Sequence, residues 1–285
     1  MGMEFACGKE KLSIKNMIKT ILFRIAFKKE NPDYFEADGL LAFVGAQGTG
    51  KTLSAVNYVY KLLERYPESK LCTNLFLNDY PIVTFEEYME EQEDEYYSLL
   101  ELNQGCEDEI KEVFYKRYLQ SNRVFLFNDN DDFKKYSNGD KGVIFLVDEI
   151  QLYLNSLESK NINMEVMTQI SQQRKQRKHI IATSQVFGRM AKPLREQFSN
   201  VVICKNYFNV MQNNSLIDRD SLETDSSADT QITGKVKRRF VWCHSPEMYK
   251  RYDTYYVIER GKFVAGEKKK GDIYDDSINK LSRDS

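Results

Sequence analysis

Apolar residues in this chain recur with two spacings, and the switches between them mark out most of its elements. Ile14, Met17, Ile18, Ile21, Leu22 and Ile25 follow the i, i+3, i+4, i+7 rule of one helical face, within a segment spanning 11–29. Lys15, Lys19 and Arg24 fill other positions, and no acid occurs between 12 and 29. We read this helix as packing on the chain's own core; a membrane-surface or partner-docking helix is the alternative. Asn31, Pro32 and Asp33 break it. The runs 40–44 and 143–147 are wholly apolar, as in strands buried on both faces of a parallel sheet. Strand-like segments also occur at 70–75, 123–127, 180–183 and 200–204, and helical patterns at 51–66 and 164–178.

This alternation predicts an α/β fold: a three-layer sandwich around a mostly parallel central sheet. Residues 85–120 are acidic, tyrosine-rich and helical in pattern, and read as an insertion at the sheet's edge. A solvated acidic face explains them better than a surface for a basic partner. From Tyr207 onward the pattern turns β-like around a Ser/Asp/Thr-rich loop at 218–233. The organisation expected is therefore a basic amphipathic helix (1–30), a core (31–206), a small β-rich C-terminal part (207–265) and a charged, fraying tail (266–285).

Composition narrows the class. At 285 residues the chain can hold one large α/β domain, and 41% hydrophobic residues suffice for a core. No run approaches the length of a membrane span and no signal peptide opens the chain, so a cytoplasmic protein is expected. Five cysteines without a CxxC pair read as reduced thiols, and two histidines argue against a histidine-based metal centre. The formal net charge is −2, but the charge is unevenly placed. Seven acids fall within 86–95, while basic residues gather at 11–29, 174–178 and 235–239. That excludes a strongly basic stand-alone DNA binder and leaves local basic patches.

The chemistry is concentrated in two segments. Gly45-Ala46-Gln47-Gly48-Thr49-Gly50-Lys51-Thr52 fits G-x-x-x-x-G-K-[ST], with a strand before it and a helix after it. That setting separates it from an accidental glycine-rich turn. Glycines let the loop curl so that successive N–H groups face phosphate oxygens, reinforced by the helix's positive end. Lys51 is expected to reach the β- and γ-phosphates of ATP, and the Thr52 hydroxyl to ligate Mg²⁺. Asp148 and Glu149 follow the apolar strand 143–147. An acid there lies at the crevice where such sheets bind ligands, so Asp148 can hold Mg²⁺ through its water shell and Glu149 can polarise an attacking water. Gln185 ends the strand expected beside Asp148, positioned either to sense the γ-phosphate and orient water or simply to cap the strand. Arg174 and Arg177 precede that strand. They are candidates for an arginine finger toward a neighbouring subunit, for contacts to DNA phosphates, or for a solvated helix face. Arg189 and Arg195 are further finger candidates.

In this order, the phosphate loop, the Val-Asp-Glu-Ile-Gln strand end, the Gln-Arg-Lys-Gln-Arg-Lys-His run and the Ile-Ala-Thr-Ser-Gln strand resemble the HerA/FtsK-type branch of P-loop ATPases. The Asp-Glu-Ile-Gln segment, the basic run and Pro193-Leu194-Arg195 look most like the Zot-like ATPases, which comprise the zonula-occludens-toxin N-terminal domain and the filamentous-phage assembly ATPases. Tyr249, Tyr252, Asp253, Thr254 and Tyr255 are similar to the segment ending that domain. The likeness spans about residues 38–256. It implies a homo-oligomeric ring, often a hexamer, that moves or extrudes DNA, with Gln185 as a sensor. Two departures are visible: no transmembrane helix follows the ATPase region, and the 85–120 insertion has no counterpart in the pattern. The expectation is an ATP-hydrolysing motor of a phage or mobile element that translocates or packages DNA. The alternatives are an ATPase driving phage or secretion-machinery assembly at a membrane, and a nucleotide-gated binding module.

Overall fold

The computed structural model describes residues 14–252, apart from 33, 37–38, 103–105, 156–163, 219–220, 222 and 225–231. The expected tail, the Asp253–Tyr255 part of the tyrosine-rich motif and residues 11–13 therefore lie outside the described residues. The chain opens with α1 (Ile14–Glu30) and passes through β1 (Leu40–Val44), α2 (Lys51–Arg65) and β2 (Lys70–Thr73). The acidic segment forms α3 (Phe85–Glu91), α4 (Glu93–Leu102) and α5 (Glu107–Ser121). Next come β3 (Val124–Leu126), α6 (Asp132–Lys135), β4 (Val143–Val147), α7 (Met164–Gln172), β5 (Lys178–Ser184) and α8 (Lys192–Arg195). The last part holds β6 (Phe198–Tyr207), β7 (Met211–Ile217), β8 (Glu223–Thr224), β9 (Ile232–Thr233), β10 (Val236–Cys243) and α9 (Pro246–Tyr249).

Eight strands form one sheet in the order β10-β7-β6-β1-β5-β4-β2-β3. The six from β6 to β3 are parallel; β7 and β10 continue the sheet antiparallel beyond β6. The strictly apolar runs occupy the centre, and every residue of β1 and β4 is buried. Their alternate side chains feed two separate cores. Leu40, Ala42, Val44, Phe145 and Val147 face the side covered by Phe133, Val166, Ile170 and Leu194. Leu41, Phe43, Ile144 and Leu146 face α2, which supplies Leu53, Val56, Val59, Tyr60 and Leu63. Three layers result, as the alternation of elements requires.

The insertion starts with a capping box, in which Thr84 and Glu87 satisfy each other's backbone N–H groups at the head of α3. Its acids face solvent, while Phe85, Tyr88, Tyr115 and Tyr118 interlock as an aromatic cluster reaching Phe125 of β3. The helix expected over 164–178 ends at Gln172. The chain then turns, Arg177 adopts a left-handed φ of 54°, and Lys178 already belongs to β5. The expectation that α1 packs on the core is not met, because none of its residues is buried.

Candidate active site

β1 delivers Gly45 at the carboxyl rim of the sheet, and α2 begins six residues later, so the chain between must reverse tightly. Two glycines make that possible: Gly48 and Gly50 sit at φ 78° and 76°, where a side chain is strained. Gly50 also backs onto the Gln212 side chain, which a Cβ would strike. The loop's carbonyls are held from behind. Gln212 Nε2 donates to Thr49 O at 2.9 Å, Asn206 Nδ2 to Gly48 O at 3.2 Å, and the Ser54 N–H to Gly50 O at 2.9 Å. In a trans peptide unit C=O and N–H point opposite ways. Tying back the Thr49 and Gly50 carbonyls therefore aims the N–H groups of Gly50 and Lys51 at the loop's mouth. Ala46, Gln47 and Gly48 are exposed there, leaving the nest open to an anion.

Lys51 is only 6% exposed. Its Nζ donates to Ala46 O at 3.2 Å and lies 4.0 Å from Glu149 Oε1, so the cation spans the loop and faces the acid pair. The Thr52 hydroxyl, in the first turn of α2, donates to Asp148 Oδ1 at 2.8 Å. Thr183, near the end of β5, donates to the same oxygen at 2.7 Å and accepts the Glu149 N–H at 2.9 Å. Asn74, just past β2, brackets the Asp148 backbone: its Oδ1 accepts the Asp148 N–H at 2.8 Å and its Nδ2 donates to Asp148 O at 2.9 Å. Burial pushes the Asp148 carboxyl above the ordinary range, as does the nearby Glu149; the Thr183 and Thr52 hydroxyls and Lys51 oppose the rise.

Glu149 takes a left-handed conformation (φ 50°, ψ 52°), rare for a residue with a side chain, as the chain turns out of β4. Gln185 Nε2 donates to its Oε1 at 3.2 Å, and Gln151 Nε2 donates to its Oε2. Gly45–Thr52, Asp148, Glu149 and Gln185 thus meet at one rim, because β5 lies between β1 and β4.

The oxygen-only pairing of Thr52 with Asp148 suits a hard cation such as Mg²⁺. Among the described residues no cluster of three or more His, Cys, Asp or Glu offers a self-contained metal cage. The rest of a Mg²⁺ shell would fall to phosphate and water.

Arg174 and Arg177 are not brought to this rim by their own chain. They precede the first residue of β5, whereas Gln185 follows its last, a separation of roughly 20 Å along a seven-residue strand. Arg177 lies over the Tyr34 ring at 4.1 Å and within 3.8 Å of Asp140. Arg189 is exposed four residues beyond Gln185. Sequence reading passed over Asn74, Gln151, Thr183 and Gln212. Thr183 gave a signal as the polar end of an apolar strand, and Gln151 stands two residues past Glu149 in the Asp-Glu-Ile-Gln run; Asn74 and Gln212 act across gaps that no spacing rule spans.

No family model and no curated protein matches the chain. Solved structures similar to it include the N-terminal domain of zonular occludens toxin from Neisseria meningitidis, at 16% identity and TM-score 0.44, covering 76% of this chain and 100% of that one. A second solved ATPase domain aligns at 13% identity and TM-score 0.41, covering 85% and 99%. The genome packaging NTPase B204 from Sulfolobus turreted icosahedral virus 2, in complex with ATP-gammaS, aligns at 11% identity and TM-score 0.41, covering 64% and 93%. These are distant likenesses of shape.

Proposed function

We propose that this chain is a Mg²⁺-dependent ATPase of the P-loop type, working as a motor that translocates or packages DNA. The observation that carries the ATPase reading is the convergence of an open amide nest, Lys51, the Thr52–Asp148 pair, Glu149 and Gln185 on one rim. In this reading the nest and Lys51 hold the triphosphate, while Thr52 and Asp148 would hold Mg²⁺, which would supply charge neutralisation on the phosphates. Glu149 accepts a proton from the water whose oxygen attacks the γ-phosphorus as the bond to the bridging oxygen breaks. Gln185, bonded to Glu149, orients that water and senses the γ-phosphate.

The DNA reading is supported by where the basic residues lie. Lys237, Arg238 and Arg239 are exposed on the outer strand β10. Through the register Arg239, Ser215, Ile203 and Val44, Arg239 stands level with the last residue before the phosphate loop. A subunit that couples nucleotide turnover to phosphate-backbone contacts needs its basic surface on an element joined to the loop, and β7 joins them through Gln212. In a ring, Arg174 or Arg177 would serve a neighbour's site.

The test is ATPase rate with and without double- and single-stranded DNA. Hydrolysis stimulated several-fold by DNA and lost in Lys51→Ala is expected. A rate unchanged by Lys51→Ala overturns the hydrolase reading, whereas a Lys51-dependent rate indifferent to both DNA forms overturns the DNA half alone.

A further inference from the structure

Helix α1 presents a surface that the ATPase reading does not use. At 100° per residue, Ile14, Met17, Ile18, Ile21, Leu22 and Ile25 cover an arc of about 140°. All six are exposed, from 49% at Ile18 and Ile21 to 68% at Ile14. An exposed apolar stripe about 17 Å long marks an interaction surface. On the opposite side Phe27, the one half-buried residue of the helix, packs edge-on against Tyr34 at 4.9 Å, and beyond the stripe, in the last turn, Lys28 reaches Glu36 at 2.5 Å. An open cleft of about 510 Å³ separates Phe23 and Phe27 from Arg174 and Arg177. The stripe thus lies on the side of the helix away from its Phe27 contact with Tyr34.

Charge identifies the occupant. Lys15 and Lys19 border the stripe on one side and Arg24 on the other, and Lys29 closes its last turn beside Lys28, whose ammonium is held by Glu36. No acid occurs in the helix before Glu30. Two copies of the helix laid face to face would set these cations against each other, which disfavours self-association through it. Among the described residues the chain's own core has not taken the stripe either. An apolar face bordered by cations that can reach outward matches an anionic lipid surface: the side chains enter the acyl boundary while the Lys and Arg heads meet headgroup phosphates. The helix is neither long nor apolar enough to cross a bilayer.

We propose that α1 is an interfacial anchor that lays this ATPase on anionic membranes, with the stripe from Ile14 to Ile25 buried in the headgroup region. The proposal does not depend on the catalytic reading, because Lys51→Ala leaves the helix untouched.

Co-sedimentation of the full chain with vesicles tests it. Binding to vesicles of phosphatidylcholine with about 30% phosphatidylglycerol is expected, at least roughly tenfold stronger than to pure phosphatidylcholine and weakened by raising salt from about 0.05 to 0.5 M. Ile18→Glu/Leu22→Glu should lose that binding by tenfold or more while keeping the basal ATPase rate, and Lys51→Ala should bind as the unaltered chain does. Equal partitioning of the unaltered chain to both vesicle types, no binding to either, or binding kept by Ile18→Glu/Leu22→Glu overturns the proposal. So does a fall in solution mass for that variant without any vesicle binding by the parent, which would assign the stripe to a second copy.

Discussion

At the scale of single residues, Thr183 does the most to organise the acid pair, since its one hydroxyl ties Asp148 and the Glu149 backbone to β5. Thr183→Val keeps the volume but leaves the Glu149 N–H and one Asp148 contact unpaired. As a positioning residue it should lower kcat by roughly 10- to 100-fold with little change in KM, and Thr183→Ser should restore most of the rate. Steady-state kinetics on the three proteins decides this; equal losses in Val and Ser variants would refute it. Asp148 gives a second prediction, with a sign fixed by its environment. Its folded-state pKa is raised above the unfolded value. The folded protein therefore holds the proton more tightly, and stability falls as pH rises from about 4 through the raised pKa. Asp148→Asn preserves an acceptor for both threonines and removes the charge. Without nucleotide it should melt higher than the parent at about pH 7.5, with the gain shrinking toward about pH 4, while hydrolysis drops by about 100-fold or more. Melting curves across pH check the first half and turnover the second.

At the scale of elements, the phosphate loop depends on a hairpin that follows it by more than 150 residues. Gln212 on β7 is fully buried, donates to Thr49 O and Asn214 Oδ1, and sits 3.3 Å from His244 Nε2. Gln212→Ala should cost about 1–3 kcal/mol through the polar groups it strands. KM for ATP should rise more than kcat falls, because the loop loses its backing rather than its reacting groups. Thermal unfolding paired with kinetics measures both. Such a contact could not be read from sequence, because Gln212 and Thr49 belong to different local patterns and only the β6–β7 turn brings them together. β1 and β4, by contrast, were legible to the residue: a strand buried on both faces leaves a solid apolar run, and the loop and acids attached to them inherit that certainty. β5 was read two residues short at its start, because it opens with Lys178 and His179, and one short at its end, at Ser184. Lys178 Nζ is buried against Phe133 O, and His179 Nδ1 lies 2.8 Å from Gly39 O. Satisfied polar side chains inside a sheet break the apolar signal without breaking the strand. For α1 the periodicity was right and the partner wrong, since a stripe records that something apolar is expected and not what.

At the scale of the whole molecule, the placement of Arg174 and Arg177 turns a question about residues into one about assembly. They lie at the opposite rim from Glu149, so a finger role requires a head-to-tail interface that carries one subunit's basic turn to another's nucleotide. This can be tested by mixing two defective chains. Glu149→Gln lacks the proposed base but keeps its arginines; Arg174→Ala/Arg177→Ala lacks the arginines but keeps the proposed base. Each alone should hydrolyse ATP at least roughly 100-fold more slowly than the parent. In a random equimolar ring, a productive site needs the arginine-deficient chain beside the base-deficient one in the correct order. That happens at about one interface in four, so the mixture should regain about a quarter of the parent rate. An arginine variant active by itself removes these residues from catalysis. No recovery on mixing, in assemblies shown to exchange subunits, confines their effect to their own chain, where roughly 20 Å of strand keeps them from the chemistry.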